Sequence, residues 1–224
     1  MFRSISISVF IIAIIGIAVH WVIWRPKAGE LFGADRRLRI LDPLRGLVFL
    51  FTLLFIPQKL TLAGVFRKLV YLLALLCFVI LFVTGFYSKL IYGATISGYW
   101  LMIHATFAPI FAICLAILAV MWAYNCRLNK KYWPWLQKIL QRETINQDTP
   151  HRHEFSQKLS FWLIILLALP LILSVILSMF PFFGTHWQEL LADTHRYIAI
   201  VFVLVVVIHT YLMVLIQAEK MTVE

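Results

Sequence analysis

His104, His195 and His209 stand inside long apolar runs, where an ionisable side chain is costly unless it is paired or functional. His195 and His209 are fourteen residues apart. On an α-helix that is about 1400°, roughly 40° short of four turns, so both rings point to one face, about 21 Å apart along the axis. A ring in this setting is either a neutral imidazole bonded to a carbonyl or hydroxyl on a neighbouring helix, or a metal ligand. A short repeat bears on the choice. Asp42-Pro-Leu-Arg-Gly46-Leu-Val-Phe49, His104-Ala-Thr-Phe-Ala108-Pro-Ile-Phe111 and His195-Arg-Tyr-Ile-Ala199-Ile-Val-Phe202 share one pattern, with Gly or Ala four residues after the first position. A small residue one turn on shares the face of the first side chain and leaves room there for a flat, bulky group. His104 and His195 hold the same repeat position and are expected at one depth, near the outer boundary. Two level imidazoles on facing helices suit axial ligation of one haem iron. Zinc would want a third or fourth ligand at that depth, and none is evident. The other reading, a structural pair of satisfied rings, stays open here.

The elements that carry these residues follow from composition. Of 224 residues 62% are apolar and 13% charged, against about 45–50% and 25% in soluble globules. A soluble enzyme and a disordered chain are both excluded. The net charge of +10 is better read as topology-setting loop charge than as a nucleic-acid surface. Three cysteines without CxxC spacing give no disulfide framework, zinc site or covalent haem attachment. About 20 apolar residues cross a bilayer as a helix, and six such runs occur: Ile5–Trp24, Leu41–Leu62, Leu69–Ile91, Gly98–Tyr124, Leu159–Phe180 and Thr194–Gln217. The expected fold is all-α integral membrane, six transmembrane helices as three hairpins, the last four forming a haem-binding four-helix bundle. Residues 1–63 make the N-terminal hairpin and residues 64–224 the bundle, with a polar loop over 125–157. Placing that basic loop in the cytoplasm puts a modest majority of the 20 basic residues inside and both termini inside, N-in and C-in. His20 then falls near the outer end of the first helix, as a structural residue beside Trp21. His151, His153 and His186 are expected in solvated loops.

Residues 67–217 resemble the cytochrome b membrane subunits of respiratory formate dehydrogenase and nickel–iron hydrogenase. The resemblance rests on His104, on the His195/His209 pair, and on the segment Gln157-Lys158-Leu-Ser-Phe-Trp162. It implies a four-helix bundle with two b haems stacked across the membrane, whose ligands include the histidines at 104, 195 and 209. The family's fourth ligand belongs to an Arg-x-x-His-Trp motif, and this chain reads Arg67-Lys68-Leu69-Val70-Tyr71. One bis-histidine haem b is therefore expected, with a second haem on His209 left open. Residues 1–63 look like an added copy of the hairpin unit in which Asp42 replaces the histidine.

The resemblance further implies a non-catalytic electron-transfer subunit of an oxidoreductase complex in a bacterial inner membrane. It would pass electrons between quinone and a periplasmic redox subunit, such as an iron–sulfur or multihaem protein. Arg196 and, by the repeat, Arg45 are the cations for haem propionates, with interfacial snorkelling as the plain alternative. Quinone would sit near the inner haem, around Tyr71, Lys68 and Lys158. The basic outer loop Arg25 to Arg39 suits an acidic partner or lipid headgroups. The competing class is a haem-free membrane anchor, or a small transporter whose buried histidines and Asp42 relay protons.

Overall fold

The computed structural model describes residues 2–32, 62–128, 137, 151–180 and 184–223. Among them all regular structure is helical, with no strand. Five helices follow in chain order: α1 Phe2–Phe32, α2 Leu62–Tyr87, α3 Gly98–Ala123, α4 His151–Met179 and α5 Thr185–Val223. The stretches Phe2–Val22, Leu62–Tyr92, Gly98–Ala123, Phe155–Met179 and Thr185–Val214 are each long and apolar enough to span a bilayer. Each turns most of its side chains outward: Ile113 and Leu166 are both 62% exposed. Only lipid makes such a surface stable.

Two helical hairpins, α2/α3 and α4/α5, pack side by side. A π-helical turn, Ser88–Tyr92, ends α2, and Gly93 at φ 69° opens the short loop to α3. The shared core runs from Val70, Ala74 and Cys77 of α2 through Phe111, Cys114 and Leu118 of α3 to Ile164 and Ala168 of α4 and Phe202 of α5. Trp162 of α4 donates its indole N–H to the carbonyl of Cys126 (2.9 Å), which fastens the end of α3 to α4. Helices α1 and α5 lie side by side. Phe2 meets Phe86 and Tyr197, Phe10 meets Phe82 and Phe86, and His20 bonds Tyr211 (2.7 Å).

Those contacts correct the expected topology. Phe2 lies level with residue 197 and His20 level with residue 211, so α1 runs parallel to α5. The ends of the described chain, at Phe2 and Val223, therefore lie at opposite ends of the bundle, and the expectation of both termini on one side does not hold. His20 moves with it, from the outer level to the level of His209. Tyr211 is two residues, about 200°, beyond His209 on α5, so His20 sits behind α5 and outside the four-helix interior. The expected second span, Leu41–Leu62, together with Asp42 and Arg45, falls outside the described residues save for Leu62, where α2 begins. Helices α2, α4 and α5 start earlier than expected, at Leu62, His151 and Thr185. His151, His153 and His186, expected in loops, are accordingly helical.

Charge sorts along the bundle axis. At the end that holds the starts of α1, α3 and α5 stand Arg3, Lys89 and Arg196. At the other stand Arg25, Lys27, Arg67, Lys68, Arg127, Arg152, Lys158 and Lys220. Among the described residues that is eight basic positions against three.

Candidate cofactor site

Three buried hydroxyls answer the imidazoles of His104, His195 and His209. Thr84, Ser160 and Ser174 are 2%, 5% and 3% exposed, and with Ser6 they are the buried polar side chains among the described residues. Each belongs to a different imidazole. His104 Nδ1 is 2.9 Å from Thr84 Oγ1, His209 Nδ1 is 2.8 Å from Ser160 Oγ, and His195 Nδ1 is 3.3 Å from Ser174 Oγ.

The direction of these bonds follows from the hydroxyl protons. Thr84 donates its proton to the carbonyls of Ile80 (2.7 Å) and Leu81 (3.3 Å), Ser160 to Gln157 (2.9 Å), and Ser174 to Leu171 (2.9 Å). With its proton committed, each hydroxyl can only accept from the imidazole. For His195 the carbonyl three residues before its hydroxyl also receives the ring, Leu171 O lying 3.0 Å from Nδ1. All three histidines are thus Nδ1–H tautomers, with the Nε2 lone pair left for another partner. This is the arrangement by which metal-bound histidines are oriented and made more basic.

Two of the rings meet. His104 and His195, on α3 and α5, face each other with ring centroids 6.5 Å apart and planes at 80°. Metal–imidazole bonds are about 2 Å each; subtracting two from 6.5 Å leaves about 2.5 Å for two half-rings. The residues present therefore fit a metal held axially between them. The expected common depth of the pair holds. Further along the same two helices Phe111 and Phe202 also meet, centroids 6.0 Å apart, so the repeat brings its first and last positions together in register. The small residue against the His104 ring is Gly85 of α2, on which a Cβ would stand 3.2 Å from His104 Cε1. The expected space-giver on α5, Ala199, packs instead against Phe86, Ile200 and Val203.

His209 lies apart, at the other end. It opens on a cavity of about 80 Å³. The walls are aromatic and aliphatic, with Tyr71, Phe78, Phe111, Trp122, Phe161 and Phe202 among them. Tyr71, expected beside a quinone, is in this wall and packs on Trp122, with centroids 5.9 Å apart. Lys68 and Lys158 belong to the same end of the bundle but do not line the cavity. The cation of Lys158 acts on Cys126, pulling down a thiol pKa that burial pushes up. Arg196, adjacent to His195, is ion-paired with Asp193 and partly exposed; Arg45 lies outside the described residues.

The hydroxyl partners were not read from the sequence, yet a signal exists. Ser160 and Ser174 are fourteen residues apart, as are His195 and His209. On antiparallel helices equal spacing places both pairs in one register. The Gln157–Trp162 segment is equally informative: it supplies Ser160 to His209, the carbonyl beneath it, and the Trp162 tie to α3.

A lipid-facing four-helix bundle with paired imidazoles at its core defines a multi-pass membrane protein of the cytochrome b class. The chain belongs to the prokaryotic cytochrome b561 family, whose model matches residues 68–222, from α2 to the end of α5. Membership brings haem b binding and electron transfer within the membrane; α1 lies outside the match. No curated protein and no solved structure matches the chain.

Proposed function

We propose that this protein is the electron-carrying membrane subunit of a respiratory oxidoreductase complex, moving electrons between quinone and a redox partner on the outer face. The observation that carries the reading is the His104–His195 pair, 6.5 Å between centroids, with each Nδ1–H directed away, into Thr84 for His104 and into Ser174 and the Leu171 carbonyl for His195. These two side chains would hold haem b, which supplies a one-electron carrier when bound. With an imidazole of this chain on each side, the group would offer no open position to substrate, which suits outer-sphere transfer and not bond-making chemistry. Thr84, Ser174 and the Leu171 carbonyl fix the tautomer and the ring orientation. Gly85 leaves the His104 ring the room to stand where it does.

Orientation follows from charge. The eight-residue basic end is cytoplasmic, in a bacterial inner membrane, so the His104–His195 pair lies toward the periplasm, where an iron–sulfur or multihaem subunit docks. Arg196 is the cation nearest that pair for haem carboxylates, in competition with Asp193. Quinone is taken up at the His209 end, where Tyr71, Lys68 and Lys158 gather.

The test is optical. Purified protein should be red and give a reduced-minus-oxidised b-type spectrum. His104→Ala and His195→Ala should each remove the same component. A colourless, well-folded preparation from haem-replete cells would leave only the anchor or proton-relay reading.

A further inference from the structure

Helix α1 lies outside the family match, yet one of its faces is docked. Its outward side chains, such as Ile11, Ile12 and Ile15, are as apolar as those it hides, so hydropathy does not mark the docking face. Burial does. Phe2, Ser6, Val9, Ala13, Ile17 and His20 are buried or half-buried, spaced three or four apart in one stripe along the helix. From Phe2 to His20 the stripe covers about 27 Å of helix, nearly the depth of a bilayer core. Ser6 is fully buried and gives its proton to the Phe2 carbonyl (2.9 Å), so this small residue lets α1 approach closely without an unmet hydroxyl.

At the His104–His195 level the stripe ends in rings. Phe2 stacks on Phe86 of α2 (centroids 6.5 Å) and meets Tyr197 of α5 edge-on (5.6 Å). Phe10 meets Phe82 and Phe86 edge-on, at 5.9 and 5.4 Å. With Ala199, Ile200 and Val203 of α5 these rings form one apolar cluster that fills the seam between α2 and α5. The cluster stands beside both halves of the imidazole pair. Phe86 follows Gly85, on which a Cβ would meet the His104 ring, and Ala199 is one turn beyond His195 on the same face. At the other level His20 shares a 2.7 Å hydrogen bond with Tyr211 of α5, a polar tie between helices where water offers no competing partner.

We infer that α1 is a retaining wall for the cofactor at His104–His195: Phe2 and Phe10 seal the α2–α5 seam, and the His20–Tyr211 bond keeps the wall in place. The role depends on haem b being held by that pair, as proposed above. Phe2 and Phe10 are positioning residues that act through Phe86. With the seam sealed, lifting α1 adds to the barrier for release of the group. Loosening the wall therefore changes the rate of release and leaves the axial imidazoles, and with them the spectrum, as they were.

The experiment uses full-length, detergent-purified, haem-loaded protein, with excess apomyoglobin as acceptor, and follows transfer of haem out of the b-type spectrum. The Phe2→Ala, Phe10→Ala double variant should keep the reduced-minus-oxidised spectrum and release haem on the order of tenfold faster, because two large packed rings are gone. Phe10→Leu, which refills much of the space, should stay close to the parent. Tyr211→Phe removes one hydroxyl at the far level and should speed release by a smaller factor; it tests the wall even where the double variant fails to accumulate. Ile12→Ala and Ile14→Ala, on the face of α1 that is 69% and 67% exposed, should change nothing. Release at the parent rate from both the double variant and Tyr211→Phe would overturn the inference and leave the proposed function standing. Equal acceleration by the Ile12 and Ile14 changes would do the same. Protein that takes up no haem in any form would end both.

Discussion

An imidazole in a lipid-embedded helix has two nitrogens, and both must be accounted for. In this protein one nitrogen of each ring is answered three times by the same device: a Ser or Thr that donates to the carbonyl three residues earlier and accepts from Nδ1–H. Donation from Nδ1 makes Nε2 a stronger base and so favours the ferric state of a bound iron. Removing the hydroxyl weakens that donation. One such hydrogen bond is worth about 1 kcal/mol, which for a one-electron couple is about 40 mV. Thr84→Val should therefore raise the potential of the His104–His195 component by up to that amount, and Thr84→Ser should restore it. Potentiometric titration of the purified variants reads the shift. A fall in potential, or no change, would contradict the assignment of the Thr84 hydroxyl to the His104 ring.

At the scale of elements, α2 contributes no histidine and still shapes the site, through Thr84 and its neighbour Gly85. A Cβ at Gly85 would press on His104 Cε1 at 3.2 Å, and the ring is not free to give way because Thr84 holds its other side. Gly85→Ala should broaden or diminish the His104-dependent spectrum and lower the unfolding temperature of the loaded protein. Gly16→Ala is the control: nothing lies within 4 Å of a Cβ there, and alanine in place of a helix-interior glycine stabilises by up to about 1 kcal/mol. Thermal melts followed by haem absorbance separate the two. The contrast also shows what was legible beforehand. Apolar runs marked the four bundle helices, because lipid imposes both length and composition on them. Helical periodicity placed His195 and His209 on one face, and the repeat brought His104 level with His195. The partners of these rings were hidden because they sit on other helices, α2 and α4, and single hydroxyls in apolar runs are common. Gly85 was hidden for the same reason: the space it leaves is for a ring nineteen residues away. Helix starts were misplaced where polar residues such as His151 and Thr185 continue a helix beyond the apolar stretch.

For the whole molecule, the direction of α1 decides the sidedness of everything else. Loop charge alone favoured both termini inside by a small margin, since the basic run after α1 then counted as external. The packing of Phe2 on Tyr197 and of His20 on Tyr211 reverses α1 and carries Arg25 and Lys27 to the end that already holds Arg127, Arg152 and Lys158. Contact geometry and the positive-inside preference then point the same way, and on the orientation proposed above Ser4 is periplasmic and Thr222 cytoplasmic. Single cysteines at these positions test this in intact cells with a membrane-impermeant maleimide, in a Cys126→Ser background because Cys126 lies at the basic end. Cys77 and Cys114 are buried and give no competing signal. Ser4→Cys should label in intact cells, and Thr222→Cys only after the membrane is permeabilised. Labelling of both from the outside, or of neither, would place the two termini on one side, detach α1 from its observed place along α5, and return His20 to the opposite level from His209.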